Sequence, residues 1–156
     1  MEIRIQSQMT LDGYIACHNG IRDWYLNPKT YGIDDFFEDS TVILDCKDEQ
    51  FWSDYKSGET FWDDDLETAL KRADGLDGYL ALEVTPRTLD LAERLMESPG
   101  ITEFHCFLIP VTLGSGIHCS PLDRLIAEMK VFREKVLDGG VRYTVYRMDN
   151  GSAHKG

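Results

Sequence analysis

The chain opens with a period-two alternation of residue types. From Ile3 to Met9 the odd-numbered positions are apolar or small, and the even-numbered positions are Arg or Gln. This pattern is typical of a half-buried β-strand. After a break at Asp12-Gly13, the segment Tyr14 to Cys17 can extend the strand, and Asn19-Gly20 predicts a turn.

Further apolar runs of strand length recur along the chain. Strands are predicted at Thr41 to Leu44, Tyr79 to Leu82, Phe104 to Val111, Glu128 to Leu137 and Val141 to Met148. The last two flank Asp138-Gly139-Gly140, which favours a hairpin because these residues tolerate positive φ.

Helix signals fall between the strands. The first is a short helix capped by Thr30, with Phe36-Phe37 facing inward, and the second runs from Asp64 to Ala73. The third is capped by Thr85, has Pro86 at its first position and ends near Glu97. The fourth is one turn from Ser120 to Asp123. Strands that alternate with helices predict a largely parallel sheet covered on both faces, and the terminal hairpin adds an antiparallel edge. Residues 1–149 are predicted to form one domain, and residues 150–156 a disordered tail.

Composition narrows the function classes. The chain has 156 residues, of which 42% are hydrophobic and 28% are charged, and its net charge is -12. Such acidity argues against nucleic acid or an anionic membrane as partner, since both would be repelled. No apolar run approaches the roughly 20 residues that span a bilayer, and the charged start Met1 to Ile5 does not resemble a signal segment. We therefore expect a cytoplasmic protein.

Three of the four cysteines stand beside a histidine, at Cys17-His18, His105-Cys106 and His118-Cys119. Neighbours on a strand point to opposite faces, so each pair can offer at most one ligand to a shared metal. Reduced, buried cysteines are the favoured interpretation, and we expect no metal site.

Two glycine-containing segments are the most informative features of the sequence about function. The first runs from Ser7 to Trp24 and breaks an apolar strand at Asp12-Gly13, and the second, Ile109 to His118, ends a strand in a double-glycine turn. Either alone could be a β-bulge or a turn with no chemistry. Together they resemble the dihydrofolate-reductase-like superfamily, specifically the C-terminal reductase domain of the bifunctional riboflavin-biosynthesis deaminase-reductase. The resemblance covers essentially the whole chain and implies an α/β three-layer sandwich.

The resemblance also implies a reaction and a site. In that family NADPH lies across the carboxyl edge of the sheet and gives a hydride to a small molecule, a pyrimidine in the riboflavin enzyme. It places the substrate cleft at Met9, Gly13, Tyr14 and Ile15, with Asp12 as the carboxylate that orients the substrate. It places cofactor contacts at Ala16, Gly20, Trp24, Lys47, Thr85, Gly114 and Gly116, of which Gly20 and Trp24 belong to a mobile loop. His18 is a candidate proton carrier, against a loop histidine with no role.

The chain departs from the family at two phosphate-binding positions. A Gly-Arg-x-Thr motif is replaced by Asp45-Cys46-Lys47-Asp48, where only Lys47 keeps a positive charge, and a Gly-Gly pair is replaced by Glu83-Val84-Thr85-Pro86. Side chains there replace open glycine backbone, and Pro86 removes an N–H donor. A like-charge contact near 4 Å costs about 1 kcal/mol in water and about 4 kcal/mol at a protein surface. We expect weakened NADPH binding.

Three hypotheses follow. The first is a reductase that holds NADPH in an altered pose through Lys47, Arg87 or Arg22. The second is a non-catalytic relative that binds a planar small molecule beside Trp24. The third is a homodimeric interaction protein whose aromatic-rich segment, Trp24 to Trp62, forms the dimer face.

Overall fold

The computed structural model describes residues 2–26, 30, 40–44, 61–63, 71, 79–86, 88–97 and 101–148. The strands within these ranges are β1 (Glu2–Thr10), β2 (Ser40–Leu44), β3 (Phe61–Asp63), β4 (Tyr79–Glu83), β5 (Ile101–Ile109), β6 (Met129–Val136) and β7 (Arg142–Met148). Two helices are described in full, α1 (Leu89–Met96) and α2 (Ser120–Ala127).

The described strands form one seven-stranded sheet in the order β3-β2-β4-β1-β5-β7-β6. The five strands from β3 to β5 are parallel to their neighbours, and β7 and β6 are antiparallel. The predicted largely parallel sheet with an antiparallel C-terminal hairpin is confirmed. The hairpin turns through Gly139 and Gly140, both with positive φ, as the turn chemistry predicted.

Strand β1 lies inside the sheet, and Gln6 is paired with Glu83 of β4 and with His105 of β5. The prediction that β1 is half-buried was wrong, because Gln6 and Gln8 are also fully buried. A strand inside a parallel sheet has both faces covered, whatever its own alternation suggests.

The first face of the sheet carries the larger apolar core. Ile5, Leu82 and Phe104 pack there with Leu95 of α1 and Leu122 of α2. Each such side chain contributes about 1.5–3 kcal/mol when fully buried. The core fixes the parallel strands and so fixes the position of their carboxyl ends.

The second face is more polar. Its apolar cluster includes Trp24, Ala81, Phe107 and Tyr143. Beside that cluster lie buried polar side chains of β1, β4 and β5, which are Gln6, Gln8, Glu83, Glu103 and His105. Unlike the first face, this face therefore carries several buried groups that need hydrogen-bond partners.

Helix α1 begins at Leu89 and not at Pro86. The Thr88 hydroxyl donates to the Glu83 carbonyl at 2.6 Å and accepts from the Thr85 N–H at 2.9 Å. These bonds close a turn before the helix, so the predicted cap at Thr85 was wrong and Thr88 takes the cap position. Hydroxyl groups that bond to nearby backbone favour turns over helix interiors.

Other boundaries also differ. Helix α2 has two turns where one was predicted, and β3 was not predicted, since three residues are too few to show a period. Of the helix predicted at Asp64 to Ala73, the structure describes Lys71, which is helical. The helix predicted near Phe36-Phe37 and the tail 150–156 lie outside the described residues. Within the described ranges, no helix has both the length and the hydropathy of a membrane span.

Candidate functional site

The two glycine-containing segments meet at the carboxyl ends of β1 and β5. The Asp12 carboxylate accepts hydrogen bonds from the Thr10 hydroxyl at 2.5 Å, from the Leu113 N–H at 3.1 Å and from the Gly114 N–H at 2.7 Å. The Thr10 bond is the largest influence on the Asp12 carboxyl and lowers its pKa, with desolvation opposing and the two backbone bonds adding to the decrease. Asp12 thus fastens one segment to the other, and its role towards a substrate stays a prediction.

A second contact completes this junction, which we call the clasp (residues 12–16 against 113–117). The Ile15 N–H donates to the Ile117 carbonyl at 2.9 Å, and the Ile117 N–H donates to the Ala16 carbonyl at 2.8 Å. A Cβ atom on Gly116 would lie 2.4 Å from the Ala16 oxygen. Gly116 is therefore required because the two backbones touch.

His118 also holds the clasp, a role that sequence reasoning missed. Its Nδ1 lies 3.0 Å from the Gly13 carbonyl oxygen, and its Nε2 lies 2.9 Å from Asp123 Oδ2. Both partners are acceptors, so both contacts are hydrogen bonds only when both ring nitrogens carry a proton, as they do in an imidazolium. The hydrogen bond to Asp123, followed by that to Gly13, raises the pKa of His118. The only sequence signal was its position beside Cys119.

The loop after the clasp is anchored to the second face. The Gln8 carboxamide donates to the Leu26 carbonyl at 2.7 Å and accepts from the Leu26 N–H at 3.0 Å. The Tyr25 hydroxyl donates to Glu83 Oε2 at 2.5 Å. Trp24 is buried in the apolar cluster of that face. The residues that directly follow the predicted mobile loop, Tyr25 and Leu26, are thus bonded to the sheet.

Arg22 lies across this loop. Its Nε–H donates to the Ile15 carbonyl at 2.9 Å, and its guanidinium carbon lies 4.4 Å from the centre of the Tyr25 ring. Cation–π contacts of this kind stabilise the position of the guanidinium group. Arg22 was a predicted alternative phosphate ligand, and the structure shows it bonded to Ile15 of the clasp and stacked on Tyr25 of the loop.

Two buried groups on the second face have no hydrogen-bond partner in the described part of the chain. They are the carboxamide of Gln6, through both Oε1 and Nε2, and the indole Nε1 of Trp24. Gln6 lies between Glu83 and His105 across the sheet. Buried polar groups in proteins are nearly always paired with protein or with ordered water, so these two mark a place where water or another molecule would complete their hydrogen bonds.

The loop between β4 and α1 is where the family resemblance implies a diphosphate. Its Val84 N–H donates to the Gln6 carbonyl at 2.8 Å, its Thr85 N–H to the Thr88 hydroxyl, and its Thr88 N–H to the Thr85 carbonyl at 3.1 Å. Pro86 has no N–H. The Glu83 side chain is buried on the second face, bonded to Tyr25. The backbone N–H groups described in this loop are thus already hydrogen-bonded within the chain. The loop therefore does not fit a diphosphate, which would need free N–H donors.

A buried ion network lies further along the second face, towards the start of β5. Glu103 Oε1 lies 2.7 Å from His105 Nε2, and Glu103 Oε2 lies 2.9 Å from Arg147 Nε. Desolvation raises the pKa of Glu103, but the His105 hydrogen bond and the charges of Arg4, His105 and Arg147 outweigh it and lower that pKa to about 2. Burial is the largest influence on His105 and lowers its pKa, and its Nδ1 lies 2.6 Å from the Tyr143 hydroxyl oxygen.

The predicted site residues thus fall into three groups. The clasp brings together Asp12, Gly13, Tyr14, Ile15, Ala16, Gly114 and Gly116. Gly20 lies in a turn and Trp24 in the anchored loop, while Thr85 is buried in the closed turn before α1. Met9 packs in the first-face core, where its Sδ accepts a hydrogen bond from the Cys106 thiol at 3.8 Å. Lys47 lies outside the described residues.

Comparison with solved structures bears on the fold. A presumed riboflavin biosynthesis protein from Shewanella sp. PV-4 is 19% identical, with a TM-score of 0.54 over 94% of this chain and 98% of that one. Dihydrofolate reductase from Enterococcus faecalis, solved with NADP(H), is 14% identical with a TM-score of 0.59 over 95% of this chain and 96% of that one. The chain has the dihydrofolate-reductase-like fold.

A dihydrofolate reductase from Schistosoma mansoni is 9% identical, with a TM-score of 0.53 over 95% of this chain and 98% of that chain. No protein-family model matches the sequence. No curated protein matches it either. The likeness is therefore one of fold, and the site residues must carry any statement about activity.

Proposed function

We propose that this chain is a small-molecule reductase of the dihydrofolate-reductase-like fold, which binds a pyrimidine- or pterin-like heterocycle against the second face of the sheet. The observation that carries the proposal is a buried carboxamide beside a buried carboxylate, Gln6 and Glu83, which are paired in register on adjacent strands. Ligands of open α/β sheets bind at the carboxyl ends of the strands, and Glu83 is the last residue of β4.

The chemistry of this pair suits a nitrogen heterocycle. A carboxylate accepts hydrogen bonds from ring and exocyclic N–H groups, and a carboxamide offers one donor group and one acceptor. Trp24 and Phe107, on the same face, supply apolar and aromatic surface, the usual surroundings of a small planar ligand. A sugar or a simple acid would leave these aromatic groups unused.

The proposed reductase also needs a hydride donor. NADPH is the donor that the family resemblance implies, and the E. faecalis enzyme was solved with NADP(H). The β4–α1 loop of this chain, however, does not fit a diphosphate, because its N–H groups are bonded internally. A cofactor would have to be held by other residues, of which Lys47 and Arg87 lie outside the described ranges.

That closed loop favours a second candidate function, a binding protein of the same fold that has lost hydride chemistry. The two candidates share the heterocycle site and differ only in the cofactor. Following nicotinamide fluorescence during an NADPH titration separates them: saturable binding supports the reductase, and no binding at about millimolar NADPH supports the second candidate.

The heterocycle site is tested by calorimetric titration with a pterin, an aminopyrimidine and a flavin. We expect at least one to bind, and Glu83→Gln to weaken its binding by about 10-fold or more. Glu97→Gln is the matched control, since Glu97 is an exposed glutamate at the end of α1, and it should bind like wild type. Binding that Glu83→Gln leaves unchanged would contradict the assignment of the site.

We also propose that the chain forms a homodimer, as the resemblance implies. The aromatic-rich segment predicted as the dimer face lies mostly outside the described residues. Support comes instead from the edge strand β6, where Val131, Phe132 and Val136 are exposed. Exposed apolar side chains on an edge strand suit an interface. Light scattering at micromolar concentration should give twice the chain mass, and a strictly monomeric protein would contradict this proposal.

A further inference from the structure

Gln6 and Gln8 occupy equivalent positions on β1, yet their side chains differ in one respect. Both are fully buried on the second face. The Gln8 carboxamide is bonded through both of its polar atoms to the backbone of Leu26. The Gln6 carboxamide has no partner for either atom within the described residues. Burying an unpaired amide costs stability, so a residue kept there without a partner needs a reason outside the folded chain.

The surroundings of Gln6 indicate what that reason is. It lies between Glu83 and His105 across the sheet. Trp24, whose indole N–H is also buried without a partner in the part of the chain that the structure describes, packs with Ala81 of β4 and Phe107 of β5. Among the described residues, the second face thus offers a ligand the donor and acceptor of the Gln6 carboxamide and, separately, the N–H donor of the Trp24 indole. The best complement is a flat molecule with hydrogen-bonding groups on its edge.

We propose that Gln6 recognises the lactam edge of the ligand, with the ring N–H donating to Gln6 Oε1 and the adjacent ring carbonyl accepting from Gln6 Nε2. Two parallel hydrogen bonds then join two amides, as a carboxamide allows. The Trp24 indole donates to a further acceptor of the same molecule. The ligand class is an oxo-substituted nitrogen heterocycle, such as a pyrimidinone, a pterin or an isoalloxazine. This inference rests on the proposed heterocycle site and makes Gln6 its specificity-determining residue.

The test compares Gln6→Met with Gln8→Met, two apolar replacements of similar size on the same strand face. In the absence of ligand, Gln6→Met should melt about 2–4 °C above wild type, because it removes an unpaired buried amide. Gln8→Met should melt below wild type, because it breaks two hydrogen bonds. Towards a lactam ligand such as a pterin, Gln6→Met should bind about 10-fold to 100-fold more weakly.

A second arm varies the ligand. Methylating the lactam nitrogen removes the donor that Gln6 Oε1 would accept, so wild type should discriminate against the methylated ligand by about 10-fold and Gln6→Met should not. If wild type binds the heterocycle and Gln6→Met binds it equally well, this inference is overturned while the proposed site survives. If Gln6→Met melts below wild type, the carboxamide is satisfied by water and the inference is again overturned. If wild type binds no heterocycle, the proposed function itself fails.

Discussion

Replacing Gly116 by alanine probes the clasp, the junction on which the candidate site is built. The added Cβ would lie 2.4 Å from the Ala16 carbonyl oxygen, whereas ordinary contact begins near 3.4 Å. Neither atom belongs to a flexible side chain, so the two backbone segments must separate by roughly 1 Å. The hydrogen bond from the Ile117 N–H to the Ala16 carbonyl, now 2.8 Å, would then lengthen beyond hydrogen-bond range.

The cost has two parts. Losing one buried backbone hydrogen bond costs about 1 kcal/mol net, and forcing a methyl group into a filled space costs about 1–3 kcal/mol. We expect Gly116→Ala to lose about 2–4 kcal/mol of unfolding free energy. For a chain of this size that lowers the melting temperature by roughly 5–15 °C. Urea unfolding and thermal melting, followed by circular dichroism, measure both quantities.

Ser115→Ala is the matched control, because Ser115 is exposed in the same turn and exposed substitutions change stability by about 0.5 kcal/mol or less. A Gly116→Ala protein as stable as the Ser115→Ala control would refute the close approach of the two segments.

Three further predictions concern the polar groups. Glu103→Gln should lower the free energy of unfolding by about 2 kcal/mol at neutral pH, after allowance for solvent screening. Because folding lowers the pKa of Glu103 from 4.5 to about 2, its contribution to stability is present above pH 4.5 and is lost as the pH falls towards 2. Urea unfolding across that pH range measures this loss. His118→Gln should destabilise the protein most below the ordinary histidine pKa. The difference in stability from wild type should disappear as the pH rises through the raised pKa of His118. Melting curves at about pH 6 and about pH 9 measure this difference. Tyr25→Phe removes the hydroxyl bonded to the Glu83 carboxylate and should cost about 2 kcal/mol in urea unfolding.

Each of these predictions can fail in a distinct way. A Glu103→Gln deficit that persists unchanged at about pH 2 would show that ionisation of Glu103 is not its origin. A His118→Gln deficit that grows with pH would contradict an imidazolium between Gly13 and Asp123. A Tyr25→Phe protein with wild-type stability would show that the Tyr25 hydroxyl contributes nothing to anchoring the loop.

The strands were predictable because their signals are local. Alternation or apolar runs marked β1, β2, β4 and β5, and the Asp138-Gly139-Gly140 turn marked the hairpin. Burial of the even-numbered residues of β1 was not predictable, since it depends on β4 and β5 lying on either side. Strand β3 is too short for any period to appear.

For the candidate site too, some features could be predicted from the sequence and others could not. The resemblance placed the Asp12 and Gly116 segments at the same edge of the sheet, and the structure adds that they are hydrogen-bonded to each other there. The contact of His118 with Gly13 joins residues that are 105 positions apart, and no local pattern encodes it. Glu83 was expected to face a diphosphate, but residues alternate across a strand. Leu82 therefore enters the first-face core, and Glu83 faces Tyr25 on the second.

Binding of a heterocycle at Gln6 and Trp24 is tested most directly by an NMR titration of the wild-type protein with a pterin. The titration follows the side-chain amide of Gln6 and the indole N–H of Trp24. The two signals are assigned by their loss in Gln6→Met and Trp24→Phe. We expect both signals to shift saturably with one common dissociation constant, while the already bonded Gln8 amide shifts little. Binding of the pterin with both signals unmoved would place the ligand elsewhere and rule out the site at Gln6 and Trp24.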